Sequence, residues 1–342
     1  MFNLKKLVRK NILALKPYSS ARDEYKGNKA IFLDANENPY GKLNRYPDPK
    51  QIDLKNELSK IKNIPSNNIF IGNGSDEVID LAYRIFCEPG VDKALTFTPT
   101  YGMYDVSAAI NNVALIKVPL NKDFQIDLDD FENYLKDKHL KLIFICSPNN
   151  PTGNNIKNIE KIIKKFKGII FIDEAYIDFS NEASFIKKIK KYPNIIISQT
   201  FSKAWGLAAA RVGTAYANIA IINLYNKVKP PYNVSALNQK AAIKAIQAKK
   251  VFEKNKNLII EERKNLCKKL SISIIIKKVY HSDANFILIE VQNANTLYQY
   301  LVAQKIIVRN RNNIIENCLR LTVGTKAENN KLINALKNYK IE

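Results

Sequence analysis

Four short segments of the chain combine polar, charged and turn-forming residues in patterns that could bind an anion and move a proton. They are 74–77 (GSDE), 147–153 (SPNNPTG), 173–176 (DEAY) and 200–203 (TFSK), the last followed by Arg211. Each segment follows a run of apolar residues that predicts a strand. Ligands of open α/β sheets collect where strands end, so the four segments predict one shared site.

Lys203 and Asp173 have the most reactive side chains of this group. A lysine just past a buried strand has its pKa lowered by burial or by a nearby cation, and its amine then becomes a nucleophile. A carboxylate at the end of a buried strand is costly unless it is paired, and a pyridinium N–H is a suitable partner for Asp173. Ser202 and Arg211 flank the lysine with groups that bind phosphate.

The other two segments have weaker signals on their own. Backbone N–H groups at a helix start bind phosphate, which gives Ser75 and Asp76 a possible role, although both residues also suit simple helix capping. In 147–153, two prolines and a glycine fix the loop and would hold Asn149 and Asn150 as positioned hydrogen-bond donors. An ordinary turn is the alternative for this loop. Together, the four segments indicate a phosphorylated aromatic cofactor.

The elements between these segments alternate between strand-like and helix-like patterns. The predicted strands have little polar alternation, as in a mostly parallel sheet that helices cover on both faces, which makes this an α/β fold. They lie at 68–71, 94–98, 113–118, 141–146, 168–172 and 194–199.

From about residue 235 the pattern changes to that of a smaller α+β domain. A long helical stretch to about 270 precedes strands at 271–277, 285–290 and 306–309 and helices at 295–304 and 327–340. Pro230 and Pro231 prevent a continuous helix and predict the boundary. With 342 residues, the chain is longer than a domain built on one hydrophobic core usually is. We therefore expect an N-terminal arm (1–30), a large cofactor-binding domain (31–234) and a small C-terminal domain (235–342).

The net charge of +22 raises the possibility of a nucleic-acid partner. Lysines occur throughout the chain, however, without an arginine-rich cluster or a nucleic-acid motif, so solvated lysine faces are the favoured interpretation. No long uncharged apolar run predicts a membrane span. The four cysteines form no CxxC pair, which argues against a metal site and favours free thiols in a reducing cytoplasm.

The set of NPTG, DEAY and SK with a downstream arginine resembles the fold-type-I aminotransferases that use pyridoxal phosphate. The order and spacing of the four segments match, and the resemblance covers nearly the whole chain. It extends to residues 9–18, 34–39, 45–48, 99–104, 282–286 and 318–325. Ala209 and Ala210 depart from the Gly and Leu common before the arginine, and Trp205 stands where phenylalanine is more usual.

The resemblance implies a role for each matching residue. Lys203 would bind the cofactor aldehyde covalently and then move the proton between substrate and cofactor, and Asp173 would keep the pyridine nitrogen protonated. Tyr176 and Asn150 would bond the ring's phenolic oxygen, and Tyr101 would stack on the ring. The residues implied around the cofactor phosphate are Ser75, Asp76, Thr200, Ser202, Arg211 and, from a partner subunit of a homodimer, Tyr46.

The implied substrate pole is anionic. The resemblance places Tyr18, Tyr232, Arg309 and Arg320 there, with Arg320 receiving the α-carboxylate of glutamate or 2-oxoglutarate. Within the family, the arm and the 309–320 region favour histidinol phosphate as the amino donor. An aminotransferase for aromatic amino acids and a pyridoxal-phosphate decarboxylase of the same fold stay open, because both would use the same lysine and aspartate.

Overall fold

The first seven strands form one twisted sheet. The computed structural model describes residues 2–18 and 30–340, so the predicted arm lies partly outside the described residues. The strands of this sheet are Ile69–Asn73 (β1), Lys93–Thr98 (β2), Ala114–Pro119 (β3), Leu140–Cys146 (β4), Ile169–Asp173 (β5), Ile195–Thr200 (β6) and Val212–Ala217 (β7).

The sheet is mostly parallel, as the sequence predicts. Its strand order is β1-β7-β6-β5-β4-β2-β3. Only the pairs that involve β7 are antiparallel, and the other four pairs are parallel. The carboxyl ends of β2, β4, β5 and β6 therefore meet at one edge, and the polar segments that follow them gather there.

Helices cover both faces of this sheet because its strands are apolar on both sides. In β4, Ile143 and Ile145 enter one core while Leu142 and Phe144 enter the other. The helices within the described residues are Lys10–Ala14 (α1), Ile52–Lys62 (α2), Ser75–Phe86 (α3), Met103–Ile110 (α4), Leu128–Tyr134 (α5), Ile159–Lys165 (α6), Ile219–Val228 (α7), Ala236–Gln247 (α8), Lys249–Ser271 (α9), Ala294–Ala303 (α10) and Lys326–Asn338 (α11).

A second, antiparallel sheet follows in the C-terminal part. Its strands are Ile276–Val279 (β8), Phe286–Val291 (β9), Arg309–Asn310 (β10) and Cys318–Thr322 (β11), in the order β10-β11-β9-β8. Leucines from α9, α10 and α11 pack on it to form a separate core. Helix α8, by contrast, adds Ala242 and Ile246 to a core of the first sheet. The predicted boundary after residue 234 stays a prediction.

Some predicted elements of this part were wrong. The strand expected at 271–277 does not begin until Ile276, because α9 continues to Ser271. Leu266 and Leu270 lie one helical turn apart in the core and extend the helix. The single helical stretch expected from 235 is two helices that meet at Ala248. The strand expected at 306–309 is Arg309–Asn310.

Direct contacts join the two sheets beside the polar edge. Tyr176, Phe179, Ala204, Ala284 and Phe286 form a small core between them. The guanidinium of Arg263 on α9 donates to the Ala284 carbonyl oxygen at 2.7 Å. Within the described part of the chain, every helix is too short or too polar to cross a bilayer.

Candidate active site

Lys203 lies three residues beyond β6, with its ammonium 5.7 Å from the centre of the Tyr176 ring. Its pKa is below the ordinary lysine value because surrounding protein withholds water, and the charge of Arg320 lowers it further. The carboxylates of Asp173 and Asp76 act in the opposite direction. The neutral, nucleophilic form of the amine is therefore more populated than in a free lysine.

Asp173 ends strand β5 and is buried, with 3% of its surface exposed. The Tyr104 hydroxyl donates to its Oδ2 at 2.8 Å, and the Ala175 N–H donates to its Oδ1 at 3.0 Å. Burial raises the pKa of Asp173 to about 6, although these two hydrogen bonds favour the carboxylate. A buried carboxylate of this kind requires a positively charged partner.

Glycines create an anion cradle where helix α3 meets strand β7. Gly74 precedes the helix at a φ of 79° and offers no side chain to cap the first-turn N–H groups. A Cβ on Gly74 would lie 2.5 Å from Nη2 of Arg211, and one on Gly213 would lie 2.2 Å from the Ser75 nitrogen. Only glycine at both positions lets Arg211 and the uncapped N–H groups come so close together.

Side chains of the predicted phosphate set surround this cradle. Arg211 reaches Ser202 Oγ at 3.5 Å and Asp76 Oδ2 at 3.2 Å. Thr200 Oγ1 accepts from the Ser202 N–H at 3.1 Å and fixes the turn after β6. An aspartate side chain would repel a phosphate, so Asp76 would contribute its backbone N–H, while its carboxylate accepts hydrogen bonds from Arg211 and Tyr101.

Tyr101 connects the cradle to Asp173. Its hydroxyl donates to Asp76 Oδ1 at 3.1 Å, and its ring meets the Tyr104 ring edge-on at 5.7 Å. Asn149 fixes the loops around it: the amide donates to the Pro99 carbonyl at 2.9 Å and accepts from Thr100. Of the two adjacent asparagines, Asn149 is therefore structural.

Asn150 faces the other side of the site. Its amide nitrogen lies 3.4 Å from the Tyr176 hydroxyl, and its Oδ1 accepts a hydrogen bond from Arg320. Arg320 also places its guanidinium 5.1 Å from the centre of the Phe286 ring. Asn150 thus links the ring-binding residues to the predicted substrate pole.

Three arginines lie near one another at the β10 edge of the second sheet. Arg309 pairs directly with Arg320 between β10 and β11, as expected for a hairpin across 310–317. Arg311 follows β10, and its backbone N–H donates to the Cys318 carbonyl oxygen at 3.0 Å. Burial and the charges of Arg320 and Arg309 lower the pKa of Arg311 to about 10. The Nε atoms of Arg311 and Arg320 are buried without a hydrogen-bond partner among the described residues.

The three remaining predicted tyrosines lie elsewhere in the chain. Tyr46 stacks on Tyr232 at 4.3 Å between ring centres, and Tyr18 is exposed near Pro17 and Pro231. The contacts of Lys203, Asp173 and Asn150 described above include none of the three. Their roles in the site stay predictions.

Two residues of the site were missed from sequence. Tyr104 donates to Asp173, and Arg311 adds a third positive charge beside Arg320. The usable signal for Arg311 was its position two residues after Arg309, at the start of the predicted hairpin turn. No comparable pattern connects Tyr104 to Asp173.

A family model described as "Aminotransferase class I and II" matches residues 24–336. The chain belongs to this aminotransferase family. A histidinol-phosphate aminotransferase of Cytophaga hutchinsonii is 50% identical, over 99% of both chains. A crystal structure of this enzyme from Clostridium acetobutylicum has a TM-score of 0.79 at 27% identity, over 86% of this chain and 90% of that one.

A further structure shares the aminotransferase fold. It is the Sinorhizobium meliloti histidinol-phosphate aminotransferase in complex with pyridoxal-5′-phosphate, with a TM-score of 0.78, 24% identity, and coverage of 85% and 82%. The class I and II aminotransferases depend on pyridoxal 5′-phosphate.

The residues of this chain fit that cofactor. The glycine-lined cradle suits the phosphate, the buried Asp173 carboxylate suits the ring nitrogen, and Tyr176 with Asn150 suits the phenolic oxygen. Lys203 would supply the amine for the aldehyde. The aminotransferase site thus contains a partner for each polar group of the cofactor.

Proposed function

We propose that the chain transfers the amino group between L-histidinol phosphate and 2-oxoglutarate, which forms imidazole-acetol phosphate and L-glutamate, in L-histidine biosynthesis. The observation that supports this substrate best is the cluster of Arg309, Arg311 and Arg320 near Asn150 and Tyr176. Three neighbouring guanidinium groups suit a phosphate dianion. Relatives with the corresponding name match the chain end to end at 50% identity.

The two halves of the reaction need one pocket that accepts two different anions. Glutamate and 2-oxoglutarate have carboxylates, whereas histidinol phosphate has a phosphate and no carboxylate. We assign the α-carboxylate to Arg320 because its guanidinium already donates to Asn150. Arg309 is more exposed and lies beside Arg320, where it would bind the phosphate.

Residues around the reacting carbon have separate tasks. When bound, the cofactor supplies an aldehyde for the amino group and a ring that accepts the electron pair left on the substrate carbon. The Lys203 amine would take the proton from that carbon and deliver it to the former aldehyde carbon of the cofactor, because its lowered pKa makes both protonation states accessible. Asp173 holds positive charge on the ring nitrogen, while Asn150 and Tyr176 orient the ring.

The arginine assignment predicts different losses for the two substrates. A charge-assisted hydrogen bond contributes about 1.5–3 kcal/mol, so removing one arginine should lower kcat/KM by about one to two powers of ten. Arg309→Ala should reduce the rate with histidinol phosphate more than the rate with glutamate. Arg320→Lys should reduce both, because lysine cannot form the bidentate fork to a carboxylate. Steady-state kinetics with each substrate measure the difference.

Arg84→Ala is the matched control for these arginine variants. Arg84 is an exposed arginine paired with Asp80 at 2.8 Å on α3, and its loss should leave both rates unchanged. The test of the substrate itself uses the unmodified enzyme with histidinol phosphate or phenylalanine as amino donor. A preference for phenylalanine would mean that the chain is an aromatic aminotransferase. Release of carbon dioxide from an amino acid would favour a decarboxylase.

We also propose a homodimer in which Tyr46 completes the partner's site. In a mixed dimer of a Tyr46→Ala chain and a Lys203→Ala chain, one site would lack both residues and the other would have both. We expect this mixed dimer to keep about half the unmodified activity, well above either parent homodimer. The stack with Tyr232 suggests that both rings enter the same site. Activity equal to the mean of the two parents, or an active monomer in sedimentation, would refute the shared site.

A cytoplasmic location is part of the same proposal. All four cysteines are free, and Cys87, Cys146 and Cys318 are buried. Unpaired thiols of this kind are typical of a reducing compartment.

A further inference from the structure

Tyr104 is a fully buried tyrosine that the reaction described above does not use. Its side chain is 0% exposed, and its hydroxyl donates to Oδ2 of Asp173 at 2.8 Å. Asp173 is the last residue of β5, whereas Tyr104 lies in α4, the helix after β2, and strand β4 lies between β5 and β2 in the sheet. The contact therefore spans the intervening strand and joins two residues that are distant in sequence.

The Tyr104 ring has little freedom to move. It stacks on Phe144 of β4 with the ring centres 4.8 Å apart and the planes 19° apart. The Tyr83 hydroxyl donates to the Tyr104 carbonyl oxygen at 2.8 Å, which fixes the backbone of the same residue. A donor fixed in both ring and backbone loses little entropy when it makes its hydrogen bond.

Asp173 depends on this donor because its surroundings oppose a negative charge. Burial is the largest cause that raises the pKa of Asp173, and the carboxylate of Asp76 adds to it. The Tyr104 hydroxyl is the strongest opposing influence, ahead of the Ala175 N–H and the ammonium of Lys203. Cys146 and Tyr176 also face this region, and burial raises the pKa of both, so both are neutral near pH 7.

We propose that Tyr104 is a positioning residue for the cofactor, whose hydroxyl holds Asp173 in one orientation and as a carboxylate for the ring nitrogen. One carboxylate oxygen is bound by Tyr104 and the other by the Ala175 N–H, so the group cannot rotate without losing both bonds. The proposal depends on the cofactor and not on the identity of the substrate. It would stand if the amino donor proved to be an aromatic amino acid.

The test is Tyr104→Phe, with the affinity of the cofactor-free protein for pyridoxal 5′-phosphate measured between pH 5.5 and 8.5. Without the hydroxyl, protonation of Asp173 becomes easier, so the affinity should begin to fall at a higher pH than in the unmodified protein. We expect the midpoint to move up by about one pH unit, so that the affinity weakens by about twofold at pH 7 and by close to tenfold at about pH 5.5. An unchanged midpoint would overturn the proposal.

Tyr225→Phe is the control for loss of a buried hydroxyl. Tyr225 lies in the same core, is also 0% exposed, and donates to the Val78 carbonyl oxygen at 3.1 Å. Its removal should lower stability in a similar way and leave the pH profile of cofactor affinity unchanged. If both variants alter the profile equally, Tyr104 has only a structural role.

A double-mutant cycle separates the Asp173 contact from general damage to the fold. In an Asp173→Asn background there is no carboxylate to hold, so adding Tyr104→Phe should change the cofactor affinity at about pH 5.5 by less than about twofold. A further tenfold loss in that background would show that Tyr104 acts independently of Asp173 and would refute the proposal.

Discussion

Lys203→Ala should abolish nearly all amino transfer, with kcat lower by about four powers of ten or more. One side chain provides both the nucleophile for the cofactor aldehyde and the base for the substrate proton, so a single substitution removes two contributions. The position supports this dual use, since the amine lies beside Tyr176 and its pKa is lowered by burial and by Arg320. Single-turnover kinetics with purified variant measure the loss.

Borohydride reduction tests the same assignment without relying on activity. Reduction of the cofactor-loaded protein followed by peptide mapping should place the label on Lys203 alone. Lys326→Ala is the matched control, because Lys326 borders the same cleft as Lys203 and its removal should leave the label in place. A label on any other lysine would contradict the assignment.

Much of the site could be predicted because each polar segment follows a buried strand. Three of the segments follow β4, β5 and β6, and the carboxyl ends of these parallel neighbours must converge. The segment 74–77 follows β1, which reaches the same edge because β1 and β6 both run antiparallel to β7. The pairing of Arg309 with Arg320 was predictable for a similar reason, since a polar turn separates two short strands. In both cases the information is local in sequence.

Other features depend on contacts between residues that are distant in sequence, and no local sequence pattern predicts such contacts. The hydrogen bond from Tyr104 to Asp173 depends on the order of strands β5, β4 and β2 in the sheet. That order was not predicted from the sequence. Strand β7 was not predicted because Val212–Ala217 contains small residues such as Gly213, which permit close contact with Ser75. Tyr46 is a further case, because its predicted role lies in the site of a partner subunit.

Asp173→Ala should lower kcat by about two to three powers of ten while the KM for each substrate changes little. The cofactor should still bind, since its phosphate cradle and Lys203 are intact, but the ring would lose the carboxylate that stabilises its positive charge. That charge matters most when electrons move into the ring, so the loss belongs to the transition state. An unchanged kcat with a raised KM would mean that Asp173 binds substrate instead.

The Asp173 carboxylate should support catalysis but destabilise the folded protein when no cofactor is bound. Because the pKa of Asp173 is raised to about 6 in the folded state, its protonated form is favoured there, and folding loses stability as the pH rises towards and through that value. Asp173→Asn, which is neutral at every pH, should therefore raise the melting temperature at pH 8 and have little effect at pH 4. Adding cofactor should remove the difference in melting temperature, because the carboxylate of the unmodified protein then pairs with the positively charged ring nitrogen. A variant that is less stable than the unmodified protein at pH 8 without cofactor would show that the Asp173 charge is already compensated by the protein alone.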